Sequence, residues 1–129
     1  MKTLELHNLS KSFAFGRSHE VRVLKDINAS IPAEGTVSIR GSSGSGKTTL
    51  LNVLGGLVHP SDGRLMWDGK SVYEQGRESL VQWRSRMAGF IFQSYHLMPE
   101  LNIRENVLLP AWFLGMDQRG RAEELIELV

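Results

Sequence analysis

The clearest chemistry in the sequence lies in a stretch of glycines, serines, one lysine and one threonine at residues 41–48, Gly-Ser-Ser-Gly-Ser-Gly-Lys-Thr. The stretch fits the pattern G-x-x-x-x-G-K-[ST], whose backbone N–H groups cradle phosphates. Its glycines permit backbone angles that side chains disfavour, and they let the amides approach an anion closely. A helix that begins here would point the positive end of its dipole at the same anion. The spacing therefore predicts a loop that binds the phosphates of a nucleoside triphosphate.

Two side chains at the end of this loop add a charge and an oxygen ligand. Lys47 supplies a positive charge for the β- and γ-phosphates, and the Thr48 hydroxyl can ligate Mg²⁺. The alternative interpretation is a connecting loop rich in glycine and serine, with an accidental lysine. The predicted contacts to the nucleotide in this segment are Gly41, Ser42, Ser43, Gly44, Ser45, Gly46, Lys47, Thr48 and Thr49.

The segments around the loop have the character of strands and helices. A short run rich in β-branched residues enters the loop, and apolar residues at helical spacing follow it until Gly55 and Gly56. Alternating segments near the start, separated by residues 16–20, predict antiparallel strands, and Asp68-Gly69 predicts a tight hairpin. The predicted strands are 3–13, 21–31, 36–40, 64–73 as a hairpin, and 88–92; further helices are predicted at 78–87, 102–109, ended by Pro110, and 117–129.

Length and composition restrict the class of protein. The chain has 129 residues, 41% hydrophobic and 22% charged, which excludes a disordered or fibrous chain and favours one domain. The net charge of +1 lacks the basic excess of a nucleic-acid binder. Without cysteine there are no disulfides or thiolate metal sites, and the four histidines show no metal-ligand spacing. We expect neither a signal peptide nor a membrane span, because no apolar stretch is long enough.

The flanks of the loop resemble the ATPases of ABC transporters. Residues 88–93 read Ala-Gly-Phe-Ile-Phe-Gln and run into Ser-Tyr-His-Leu-Met-Pro at 94–99, which resembles the Q-loop region of that family. The spacing from Lys47 to Gln93 also fits, and the resemblance covers essentially the whole chain. Residues 54–57, Leu-Gly-Gly-Leu, together with 92–99 look most like the lipoprotein-release and macrolide-export branch.

The resemblance implies roles for two further residues, and it implies partners for the protein. Phe13 falls where the family places an aromatic residue that stacks on adenine; Phe15 is a competing candidate, and a core phenylalanine is the alternative interpretation. Gln93 matches the glutamine that reaches Mg²⁺ and the attacking water, so with Lys47 it is a candidate catalytic residue. The cofactors would be ATP and Mg²⁺. Residues 94–101 would face a transmembrane permease subunit, a second ATPase protomer would pair head-to-tail, and the protein would lie in the cytoplasm against the inner face of the cell membrane, without nucleic acid.

The implied fold is α/β, a P-loop NTPase of the ABC ATPase type, truncated to an antiparallel layer plus part of the parallel core sheet with helices. Residues 1–129 would form the N-terminal part of one nucleotide-binding domain. The family's Leu-Ser-Gly-Gly-Gln signature, its apolar strand ending in Asp-Glu and its switch histidine are not found in the sequence. We therefore expect nucleotide binding without hydrolysis here, and ATP hydrolysis coupled to transport in a longer parent. In that arrangement 36–40 and 88–92 would belong to one parallel sheet without being direct neighbours.

Two other functions fit a phosphate loop. A soluble small-molecule kinase would need an arginine-rich lid and an acidic residue that binds the acceptor, whereas this chain offers a hairpin and the Gln93 segment. An ABC protein that acts on nucleic acid or ribosomes rather than in transport is the other alternative, and the net charge of +1 argues against it.

Overall fold

The computed structural model describes residues 2–16, 19–74 and 76–128 of the chain. The chain divides into two compact units, residues 1–90 and 91–129. The described part of the first unit holds strands β1 (Thr3–Phe15), β2 (His19–Pro32), β3 (Asp62–Trp67) and β4 (Lys70–Ser71), with helices α1 (Lys47–Leu54) and α2 (Arg77–Met87). The described part of the second unit holds α3 (Ile103–Phe113) and α4 (Arg119–Glu127).

The strands form one antiparallel sheet in the order β2-β1-β3-β4. β1 and β2 pair along almost their whole length, from Thr3 opposite Pro32 to Phe15 opposite His19. The antiparallel layer predicted from alternation is therefore confirmed, with longer strands than expected. The predicted connection at 16–20 contains residues 17 and 18, which lie outside the described residues.

The hairpin between β3 and β4 turns at the predicted dipeptide. Asp68 and Gly69 have φ of 50° and 75°. Positive φ at both central residues is what a type I′ turn requires, and it matches the twist of the flanking strands. The turn thus brings Val72 and Tyr73 back beside β3, where Val72 donates its N–H to the carbonyl of Leu65.

The core of the first unit joins the sheet to α1 and α2. Its buried residues come from all of these elements and from the residue after β4: Leu6, Leu9, Leu24, Val53, Leu65, Val72 and Leu80. Val53, in the last turn of α1, is fully buried. Helix α1 is therefore held by its C-terminal half, while its first turn stays at the surface.

Tyr73 fastens the end of α1. Its hydroxyl donates to the carbonyl oxygens of Val53 and Val58, the latter at 2.9 Å. Burial raises the pKa of Tyr73 to about 12, against a smaller opposing effect of the positive charge of Arg84. Arg84 itself donates to the carbonyl of Gly56 at 3.2 Å. Side chains thus bind carbonyls at and beyond the C-terminus of α1, although the Val53 carbonyl also accepts the N–H of Gly56 at 3.1 Å.

The two segments expected in a parallel sheet form no strand. Residues 36–40 and 88–92 carry no strand pairing, and every ladder among the described residues is antiparallel. A β-branched or apolar run becomes a strand only when another strand accepts its hydrogen bonds. The prediction that these two segments are strands of one parallel sheet is therefore wrong for this structure.

The second unit is built on α3 and α4. Leu108 and Ala122 are buried, and Arg104 pairs with Glu123 at 3.1 Å. Helix α3 runs through Pro110 to Phe113 rather than ending before it as predicted. Helix α4 begins two residues later than predicted, and Val129 at the end of the predicted range lies outside the described residues. Over the described part of the chain, no helix has the length and apolarity to cross a membrane.

The hydrogen bonds of the Tyr73 hydroxyl predict a contribution to stability that depends on pH. Tyr73→Phe should lower the free energy of unfolding by about 0.5–1.5 kcal/mol at pH 7, because the carbonyls of Val53 and Val58 lose the hydroxyl as a donor. Since the folded pKa is raised, the hydroxyl's contribution should be complete below pH ~10 and be lost as the pH rises towards 12. Urea titrations of both chains at several pH values measure this difference. The variant Tyr95→Phe, at a tyrosine that is 90% exposed, is the matched control and should unfold like the parent.

Candidate functional site

The phosphate loop ends at a helix start that is left open. Gly46 is the N-cap of α1 with φ of 91°, a left-handed conformation that favours glycine. No side chain caps this end, and no acidic residue lies in the first turn. Its N–H groups therefore remain available, and the positive end of the helix dipole is not neutralised. This arrangement is suited to an anion.

Lys47 folds back over the loop. Its Nζ donates to the carbonyl oxygens of Gly41 at 2.9 Å and Ser42 at 2.6 Å. The backbone of the loop turns on itself as well, since the N–H of Ser45 bonds to the carbonyl of Ser42 at 3.3 Å. The ammonium group thus lies directly beside the loop. Residues 41–46 form a loop and residues 47–49 the first turn of α1, so the predicted nucleotide contacts lie on one continuous stretch of backbone.

Strand β2 packs directly against the N-cap glycine. A Cβ on Gly46 would lie 3.0 Å from Cγ1 of Val23 and 3.2 Å from its carbonyl oxygen. The missing side chain at Gly46 therefore serves a close approach as well as a backbone angle. This contact connects the phosphate loop to the β1–β2 ribbon.

Phe13 lies on that ribbon, near the contact with the loop. It pairs with Val21, two residues before Val23, and is half-buried. The Nζ of Lys11 lies 5.0 Å from the centroid of its ring. Phe15, the competing aromatic residue, is 63% exposed at the end of β1. Phe13 is therefore the aromatic residue better supported by neighbours.

Thr48 fits the requirements of a magnesium ligand. It lies exposed in the first turn of α1, and its hydroxyl makes no side-chain hydrogen bond to other described residues. A hydroxyl oxygen is a ligand that Mg²⁺ accepts alongside phosphates and water. Within the described part of the chain, no cluster of three or more His, Asp or Glu residues could hold a metal ion.

Gln93 belongs to the second unit. It is exposed, in a segment from 88 to 102 without helix or strand. Nearby, His96 has φ of 50°, stacks edge-on against Phe92 and bonds through Nδ1 to the carbonyl of Ser94 at 2.8 Å. These local contacts shape the backbone on the C-terminal side of Gln93.

Asn106 organises the next part of this segment and was missed by sequence reasoning. Its amide group donates to the carbonyls of Met98, Leu101 and Asn102, and its Oδ1 accepts from the N–H of Met98 at 2.9 Å. One side chain thus ties residues 98–102 to helix α3. An asparagine in a helix favours backbone contacts of its own, but the sequence does not say which carbonyls it meets.

Comparisons with known proteins match this chain along most of its length. The family model described as "ABC transporter" matches residues 24–129. The chain belongs to the ABC transporter family. It is 41% identical over 126 residues to the macrolide export ATP-binding/permease protein MacB 2 of Yersinia pestis, covering 98% of this chain and 18% of that protein. The family explains why loop, hairpin and Gln93 segment occur in one chain.

Two further relatives match most of the chain, one by sequence and one by structure. The lipoprotein-releasing system ATP-binding protein LolD of Idiomarina loihiensis is 40% identical over 126 residues, which cover 95% of this chain and 55% of LolD. A dimeric structure of a post-hydrolysis state of the ATP-binding cassette MJ0796, bound to ADP and Pi, superposes with a TM-score of 0.84 at 35% identity, covering 96% of this chain and 56% of that one. The structure is thus a partial ABC ATPase fold, and the chain spans about half the length of these two relatives.

The Asn106 contacts predict a local change in backbone protection. Asn106→Ala should accelerate hydrogen exchange of the Met98 amide by about five- to tenfold, because the loss of a hydrogen bond costs on the order of 1 kcal/mol. Exchange measured by NMR or mass spectrometry gives the rates. The near-isosteric Asn106→Asp keeps the acceptor for Met98 and should show a smaller effect. Unchanged exchange at residues 98–102 in the alanine variant would contradict this role, and amides of β1 serve as the internal reference.

Proposed function

We propose that this chain is an ATP-binding part of an ABC transporter ATPase and that residues 41–49 hold the phosphates of ATP. The observation that carries the proposal is the open start of α1, with Gly46 as an uncapped N-cap and Lys47 folded over the loop. The backbone N–H groups, the positive end of the helix dipole and the Lys47 ammonium all lie there, and the first turn contains no carboxylate. A family relative of known structure, MJ0796, is described as bound to ADP and Pi.

The base and the metal complete the proposed site. Phe13 stacks on adenine, supported by its place on the ribbon that packs against Gly46. Thr48 would ligate Mg²⁺, which would offset the charge of the phosphates, and Gln93 is proposed as a Mg²⁺ ligand from the family resemblance. Gln93 would also orient the attacking water in a complete ATPase. Its amide oxygen suits both tasks because it binds a hard cation without adding charge.

The proposed partners are a transmembrane permease subunit and a second ATPase protomer. Residues 94–101 present exposed apolar side chains, and a surface cavity of about 310 Å³ is lined by Leu97, Met98, Pro99, Leu101, Ile103, Asn106 and Val107. An apolar cavity next to a segment fixed by Asn106 is suited to receive side chains of a permease loop. By analogy with the family, the proposed second protomer pairs head-to-tail with this one. The proposed setting is an export or lipoprotein-release system at the cytoplasmic face of the membrane.

The activity proposed for these 129 residues is binding rather than turnover. Phosphoryl transfer depends on groups that stabilise the transition state and orient water. The apolar strand ending in Asp-Glu and the Leu-Ser-Gly-Gly-Gln signature that supply them in the family are not in the sequence. Hydrolysis coupled to transport is proposed for a chain that includes them.

The phosphate site is tested by Lys47→Ala. Removal of the ammonium should weaken MgATP binding about tenfold to a hundredfold, since a hydrogen bond to a charged group contributes about 1.5–3 kcal/mol. Isothermal titration calorimetry of both chains measures the change. Lys25→Ala, at an exposed lysine of β2, carries the same loss of charge and should bind as the parent does. Equal affinities of parent and Lys47→Ala would refute the assignment of the loop.

A further inference from the structure

The ribbon β1–β2 has a register irregularity at the point where it meets the phosphate loop. Lys11 pairs with Leu24 and Ser12 with Arg22, so that Val23 is an extra residue on β2. Val23 is also the residue that packs against Gly46. Lys11 and Phe13 therefore flank the place where the ribbon touches the start of α1.

The ammonium group of Lys11 makes a cation–π contact with the ring of Phe13. Its ammonium lies 5.0 Å from the ring centroid, within the range of a cation–π contact. Among the described residues Lys11 makes no ion pair with a carboxylate. Both side chains are half-buried, which weakens competition from water.

We propose that Lys11 is a positioning residue for the nucleotide base: its ammonium covers one face of Phe13, fixes the ring and leaves the opposite face for adenine. This inference rests on the proposed nucleotide function. Alternate residues of a strand lie on the same side of a sheet, which lets positions 11 and 13 meet. A ring held in advance loses less conformational freedom when the base binds.

The test separates contacts to the base from contacts to the phosphates. Calorimetry measures the binding of MgATP and of magnesium tripolyphosphate, which has no base, to the 129-residue chain and its variants. Lys11→Met should weaken MgATP binding about two- to fivefold more than tripolyphosphate binding. Lys11→Arg, which keeps a cation over the ring, should restore the parent's ratio. Lys25→Met is the matched control for charge and should leave that ratio unchanged.

A double-mutant cycle shows whether Lys11 acts through Phe13. In a Phe13→Leu background, Lys11→Met should change the affinities for both ligands by the same factor, because the ring is gone. A loss for MgATP that persists there would overturn the inference, as would an unchanged ratio in the single variant. If tripolyphosphate binds but substitutions at Phe13 and Lys11 leave the ratio of the MgATP and tripolyphosphate affinities unchanged, this inference alone is overturned. Failure of the parent to bind either ligand would overturn the proposed phosphate site as well.

Discussion

The first turn of α1 can receive a phosphate only if its N–H groups stay unpaired, and much of the first unit follows from this constraint. An open N-terminus forgoes a side-chain cap, which contributes about 1 kcal/mol to an ordinary helix. The helix must then be stabilised elsewhere. Val53 anchors its last turn in the core, Tyr73 binds the carbonyls of Val53 and Val58, and Arg84 binds that of Gly56. The first turn of α1 can stay uncapped because the other end of the helix is held in place.

Features that depend on neighbouring residues could be predicted from the sequence, and features that depend on tertiary contacts could not. The phosphate loop, the start of α1 and the turn at Asp68-Gly69 are set by glycine positions and short-range spacing, so the pattern predicts them. The hydroxyl of Tyr73 bonds to the carbonyls of Val58 and Val53, which lie 15 and 20 positions earlier in the chain. Nothing in the local sequence identifies these acceptors. The roles proposed for Phe13 and Gln93 rest on the resemblance to the family.

At helix α3 and at residues 36–40 the structure differs from what the local sequence predicts. Pro110 lacks an N–H and usually ends a helix, yet α3 continues to Phe113. The β-branched run at 36–40 has the composition of a strand and forms none, because strand formation needs a partner whose backbone groups are free. Composition predicts which residues can enter a sheet; pairing decides whether they do.

The starts of the four helices in the described residues explain why only α1 is suited to an anion. The start of α3 is closed by a capping box in which Asn102 and Glu105 bond to each other's backbone N–H. Helix α2 also lacks a side-chain cap but carries Glu78 in its first turn. At α4 the Asp117 carboxylate already accepts the N–H of Arg119, and the hydrogen bond from the Arg119 side chain lowers the pKa of that carboxyl. A carboxylate thus lies at or beside each of these three starts, and at α4 it is paired with Arg119. At α1 the first turn carries Lys47 and no acidic residue, so the same backbone geometry is suited to an anion there.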